Sequence, residues 1–195
     1  MSVIFGIKEE NRIIIAGDKR GTRIDGETFS DNLDKVITVN DQLAFACAGN
    51  AAIEEAIVID LNKKENKECL TTDDLLEIIN LFYERVKNTN NNAILGLPFY
   101  FLIAGKGRGG NASLISGGNI KGNIDAGEVP MALYPPADVE MRECCNCFAR
   151  NYKFYNAEFV EKTIKEIANI STLVSPTGNK WIYDISEEKG MFFSF

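Results

Sequence analysis

Two β-rich runs at the start of the chain constrain it most: Ser2-Val3-Ile4-Phe5-Gly6-Ile7 and Arg12-Ile13-Ile14-Ile15-Ala16-Gly17-Asp18. The polar segment Lys8-Glu9-Glu10-Asn11 between them reads as the turn of a hairpin. The second run ends in a small, charged corner, Gly17-Asp18-Lys19-Arg20-Gly21-Thr22. With the two strands side by side, Ser2 lies near the end of the strand that finishes at Asp18. Lys35, in Asp34-Lys35-Val36, then has to return to the same place. A hydroxyl, a carboxylate and a lysine would meet there.

The chain has no histidine. Ser-His-Asp and Cys-His machinery and histidine metal sites are therefore excluded. A base for nucleophilic hydrolysis has to be a lysine, a carboxylate, a tyrosine or an α-amino group. Methionine is normally trimmed before a small residue, and loss of Met1 would give Ser2 both a hydroxyl and a free amine. An α-amine, with an ordinary pKa of about 7.7–8.0, can take the hydroxyl proton at neutral pH, which lysine at about 10.4 cannot do without a large shift. Lys35 as a second cation would depress the amine and stabilise negative charge on the oxygen. Asp18 would keep Lys35 charged and fix its position. On the residues alone, a purely structural ion cluster of Asp18, Arg20 and Lys35 is an equal alternative.

The 195 residues suit one domain, 1–195, with a substantial core. Net charge of −7 argues against a nucleic-acid partner, since phosphate binding needs a basic surface. No apolar run is long enough to span a membrane, and Val3–Ile7 is too short for a signal peptide, so a cytoplasmic location is expected. Five cysteines, an odd number, suit a reducing compartment. Cys144 and Cys147 form a C-x-x-C read as helix packing, since zinc would need two more ligands. No cofactor and no metal are expected.

Along the chain, Gly21–Asp34 reads as a polar loop turning at Asp25-Gly26, and Lys35–Asn40 with Gln42–Gly49 as a second hairpin. Apolar residues at 53, 56, 57, 58 and 61 predict a helix over Ala51–Asn62. Thr71 or Thr72 caps a second helix, with Asp73 and Asp74 in its first turn. Asn88–Asn92 is a polar break. Strands follow at Phe99–Gly105, Ala112–Ser116 and Asn119–Ile124, helices near 138–152 and 157–169, and strands at Trp181–Ser186 and Met191–Phe195. Gly105-Lys106-Gly107-Arg108-Gly109-Gly110 fits G-x-G-x-x-G, but it leads into a strand rather than a helix and reads as a hairpin turn. Segregated strands and helices predict an α+β protein, two mostly antiparallel sheets stacked between helix layers. Gly49, where a strand becomes a helix, would let a substrate carbonyl approach a backbone N–H at a helix N-terminus.

These blocks resemble the proteasome β-subunit and HslV-type peptidases of the N-terminal-nucleophile hydrolase superfamily. Ile13–Thr22 is similar to the family's hydrophobic run into Ala-x-Asp-x-Arg-x-Thr, Asp31–Val36 to its lysine strand, and Val39–Ala52 to its hairpin closing in Ala-Gly before a helix. The resemblance is specific over residues 2–65 and rests on element order from about 98 onward. It implies a four-layer αββα sandwich. It also implies cleavage of peptide or amide bonds through an acyl-enzyme on Ser2, with Asp18, Lys35, Gly49 and Ser175 in the catalytic set. Thr22, Gly49 and Ala51 would pair with an extended substrate, and Cys47 with Gly21 at its edge would make a neutral pocket. Homo-oligomeric stacked rings and an ATP-dependent unfoldase partner go with the resemblance. Two features depart from it. The family's Gly-Ser-Gly turn before the third helix is replaced by Met131-Ala132-Leu133-Tyr134-Pro135-Pro136-Ala137-Asp138. Its Asp-x-x-Ser-Gly-Gly is replaced by Thr172-Leu173-Val174-Ser175-Pro176-Thr177-Gly178, which keeps a serine and lacks the aspartate. A catalytically silent ring or scaffold subunit, or an amidase or acyl transferase on a small substrate, are the alternative readings.

Overall fold

The computed structural model describes residues 2–23, 26–89, 91–154 and 158–195, without the side chains of Asn92 and Phe154. Strands β1 (Ile4–Lys8) and β2 (Arg12–Asp18) form the predicted hairpin, with Ile4 opposite Gly17. Within the segment read as a loop, β3 (Gly21–Thr22) pairs with β4 (Thr28–Ser30), while Asp25 of the predicted turn lies outside the described residues. The second hairpin, β5 (Val36–Asn40) and β6 (Leu43–Gly49), runs into α1 (Ala51–Asn62). Then come α2 (Thr72–Asn88), which ends on the first residue of the predicted polar break, and a short α3 (Asn92–Leu95), which begins on its last. Four antiparallel strands follow: β7 (Phe99–Lys106), β8 (Ala112–Ile120), β9 (Asn123–Glu128) and β10 (Met131–Tyr134). Helices α4 (Met141–Phe154) and α5 (Phe159–Ala168) lead to the closing hairpin of β11 (Gly178–Asp184) and β12 (Lys189–Ser194). The predicted helix start at 157 lies outside the described residues.

Two local expectations shift. The stretch 131–134 is a strand, because it extends the sheet beside β1, with Ile4 opposite Tyr134. The last two strands start three and two residues earlier than predicted, because Gly178 and Asn179 already pair with Asp18 and Gly17, and Lys189 pairs with Asp184. Of the two expected caps of α2, Thr71 is the one used, in a capping box with Asp74. The glycine-rich segment after β7 is a hairpin turn as expected, closed by Gly107 N–H donating to Asn111 O at 2.8 Å.

The strands form two five-stranded antiparallel sheets, in the orders β10-β1-β2-β11-β12 and β5-β6-β7-β8-β9. Side-chain direction alternates along each strand, so each sheet serves two cores. Ile13 and Ile15 of β2 point between the sheets, where they meet Ala44, Ala46, Leu102 and Trp181. Ile14 and Ala16 point the other way, with Phe5, against α4 and α5 through Phe148, Phe159 and Ile164. Leu43, Phe45 and Cys47 of β6 face α1 and α2 through Ile57, Ile79 and Tyr83. The layers are therefore α, β, β, α. That arrangement accounts for the uninterrupted Ile-Ile-Ile-Ala run, since a strand covered on both faces has no polar side. Trp181, the chain's one tryptophan, is fully buried between the sheets and stacks on Tyr183 at 5.5 Å.

Candidate active site

The first hairpin and the return of β11 bring the N-terminal end of β1 and the C-terminal end of β2 to one edge of the sandwich. Asp18 sits there with no exposed surface. Its Oδ1 accepts from Val3 N–H at 3.1 Å, and its Oδ2 accepts from Arg20 N–H at 2.8 Å and Ser175 N–H at 3.2 Å. Burial pushes the Asp18 carboxyl above its ordinary range, against the pull of these donors and of the Lys35 charge. One carboxylate thus ties together the chain beside Ser2, the corner before β3 and the loop before β11.

Lys35 precedes β5 and is held from both sides by Asn179, a fully buried residue of β11. The Asn179 Nδ2 donates to Asp34 Oδ1 at 2.8 Å, and its Oδ1 accepts from Val36 N–H at 3.3 Å. Cys47 N–H donates to the Lys35 carbonyl at 3.1 Å. The lysine stem crosses β2 at Gly17, where a Cβ would fall 2.7 Å from Lys35 Cβ, so the middle residue of Ala16-Gly17-Asp18 has to be glycine. The expected direct pairing of Lys35 with Asp18 is corrected by this geometry. The Asp18 oxygens are taken up by backbone N–H groups, and among the described residues Lys35 forms no ion pair. The two charges interact across a longer gap.

Ser2 is 5% exposed, and its hydroxyl donates to the Arg20 carbonyl at 3.2 Å. Met1, whose removal would free the Ser2 amine, lies outside the described residues. Ser2, Lys35, Gly21, Thr22, Gly49 and Ala51 all line one cleft of about 510 Å³. Gly49 has φ of +117° and a Cβ there would fall 2.2 Å from the Pro98 carbonyl oxygen, so only glycine fits. Asn50 then caps α1 by accepting from Ala52 N–H at 3.0 Å, which opens the N-terminus of that helix onto the cleft.

The other expected site residues stand behind the cleft. Cys47 is 1% exposed and packs under α1 and α2, its thiol pushed well up by burial. Ser175 is also buried; its Oγ is 2.7 Å from Thr177 Oγ1, and its contribution at Asp18 is a backbone N–H. Three polar residues escaped the sequence reading: Asn179, Asp138 and Glu54. Glu54, half-buried in the first turn of α1, has its carboxyl pushed up to about 7 by burial, against the pull of Lys35. No local motif marks any of them. Asn179 lies 145 residues from its partner Asp34, and Asp138 lies 34 from Thr172.

The family model for proteasome subunits matches residues 2–95. Over those residues the chain is similar to proteasome subunits. A search of curated proteins found no match. The matched span carries Ser2, Asp18, Lys35 and Gly49, and the rest of the chain completes the four-layer sandwich of a proteasome-like N-terminal-nucleophile fold. A proteasome-like hydrolase is the broad function that goes with the family, and its members typically assemble as stacked rings. No described helix is long and apolar enough to cross a membrane.

Proposed function

We propose that this chain, similar to proteasome subunits over residues 2–95, cleaves peptide or amide bonds with Ser2 as nucleophile, once Met1 is removed. The observation that carries the reading is the shared cleft: the Ser2, Lys35 and Gly49 positions face one cavity, with Asp18 anchoring the backbone next to Ser2. The Ser2 α-amine takes the proton from Oγ, and the oxygen attacks the substrate carbonyl. Lys35 favours negative charge on Oγ and keeps the amine neutral by repelling its proton. The tetrahedral oxyanion forms against the backbone N–H of Gly49, at the positive end of α1. Collapse breaks the C–N bond and passes the proton to the leaving amine, leaving an ester on Ser2 Oγ. Water, deprotonated by the same amine, then hydrolyses the ester and restores Ser2. An extended substrate would run between the backbones of Thr22 and of Gly49 to Ala51 as an added strand.

The test is acylation by an electrophile that captures N-terminal hydroxyl nucleophiles, read by intact mass and peptide mapping. Protein beginning at Ser2 should be labelled there, and Ser2→Ala should be neither labelled nor active. Labelling or hydrolysis that survives in Ser2→Ala overturns the mechanism. A correctly trimmed but unreactive Ser2 makes the chain a silent ring subunit instead.

A further inference from the structure

Two loops close the end of the cleft that holds Ser2, and Ala137 of one and Leu173 of the other line it. A single carboxylate joins them. Asp138 Oδ1 accepts from Ser171 Oγ at 2.7 Å, and Oδ2 accepts from Thr172 N–H at 2.9 Å and Thr172 Oγ1 at 3.1 Å. Hydrogen bonds to an ionised carboxylate are stronger than neutral ones, and three on one group join the two loops even though Asp138 and Thr172 are exposed to solvent. Burial would raise this carboxyl, but the Ser171 and Thr172 donors outweigh it and hold it below its ordinary range. Pro135 and Pro136, just upstream, restrict the backbone that presents it.

The tie does not end at Thr172. The Thr172 carbonyl accepts from Arg20 Nη1 at 2.9 Å, and the Arg20 carbonyl accepts the Ser2 hydroxyl at 3.2 Å. Three residues along from Thr172, Ser175 N–H reaches Asp18. The segment 172–175 therefore touches both groups that hold Ser2, and Asp138 fixes that segment. The sequence lacks a serine before α4 and an aspartate after α5, the arrangement the resemblance implies. It has instead an aspartate before α4 and hydroxyls after α5, bonded to each other.

The geometry points to Asp138 as a positioning residue of the Ser2 site. Through Thr172 and Arg20 its carboxylate sets the orientation of the Ser2 hydroxyl. This inference rests on Ser2 being the nucleophile. Asp138 touches neither Ser2 nor the open space beside it, so its effect should fall on the rate of acylation and not on affinity.

The experiment compares the parent, Asp138→Asn, Asp138→Ser, Thr172→Asp and the double exchange Asp138→Ser/Thr172→Asp. Each is measured for inactivation rate and half-saturation with the Ser2-directed electrophile, for Tm, and for hydrogen exchange in peptides covering 18–23 and 170–176. Misplacing a reacting group by an ångström costs roughly 10²-fold. Asp138→Asn and Asp138→Ser should therefore slow acylation about that much at nearly unchanged half-saturation, and exchange should quicken in both peptides. The double exchange, which restores one acid and one hydroxyl across the gap, should recover most of the rate. Parent-like acylation in Asp138→Asn overturns the proposal. So does a double exchange no faster than the single variants, with Tm equal to the parent. If the parent itself is not acylated at Ser2, the hydrolase reading fails on its own. The exchange data then decide the tie, and unchanged exchange in Asp138→Asn overturns it.

Discussion

At the residue scale, the unusual feature of the site is a buried lysine whose nearest opposite charges do not touch it. Asp18 holds three backbone N–H groups, and the other carboxyl within electrostatic reach is Glu54. Replacing Lys35 by Ala should therefore not leave a buried carboxylate stripped of its partner, an event that costs about 3–5 kcal/mol. The expected outcome is a smaller loss of Tm together with a fall in Ser2 acylation of roughly 10²–10⁴-fold. Lys35→Arg should stay folded and remain slow, because a planar guanidinium does not replace a compact ammonium beside Ser2. A Lys35→Arg protein as fast as the parent would remove Lys35 from the mechanism. Glu54 makes a prediction about pH. Its carboxyl is pushed up to about 7 in the fold, from an ordinary 4.5, so the folded state binds the proton more tightly than the unfolded one. Between those two values the unfolded chain ionises first, and stability from this group falls as pH rises. Below about 4.5 both states are protonated and the group contributes nothing. Glu54→Gln should thus raise Tm at pH 8 and make no difference near pH 4, each kcal/mol appearing as about 2–4 °C. An equal Tm change at both pH values would rule out that titration.

At the element scale, what could be read from sequence depended on how local the cause was. The hairpin of β1 and β2, the helix Ala51–Asn62 and the cap at Thr71 follow from neighbours within a few residues, and the structure has them where the pattern puts them. Ser2, Lys35 and Gly49 were legible as candidates because one hairpin and one strand-to-helix junction dictate where they go. Strand β10 was not. Met131–Tyr134 is only four residues long and is a strand because β1 offers it an edge, with Ile7 opposite Met131 and Ile4 opposite Tyr134, far away in sequence. The early start of β11 has the same origin, since Gly178 and Asn179 are drawn into register by Gly17 and Asp18. Asp138 and Asn179 were invisible for the corresponding reason at side-chain level. Each is an ordinary polar residue until a distant loop or strand delivers its partner. The direct Asp18–Lys35 pair was the natural inference from charges alone. It failed because the backbone N–H groups of three converging segments reach Asp18 first.

At the scale of the whole molecule, large apolar side chains remain on the outside of both helix layers and on the outer strand. Ile59 and Leu81 on α1 and α2 are 48% and 52% exposed, Met141 on α4 is 48% exposed, and Met191 on β12 is 51% exposed. An edge strand carrying Met191, Phe192 and Phe193 in the open is a surface that soluble monomers usually blunt. The expected outcome is a homo-oligomer in sedimentation or native mass spectrometry, and a species near the 21.6 kDa chain mass at micromolar concentration would refute it. Within the chain, Trp181 gives these measurements an optical gauge. It lies fully buried between the two sheets, on the strand whose Asn179 grips the lysine segment and whose Gly178 pairs with Asp18. Its emission should be short in wavelength while the sheets stay closed and move to the red only when they part. Light absorbed by that one indole therefore distinguishes a variant whose cleft loops have loosened from one whose sandwich has come open, without any label on the protein.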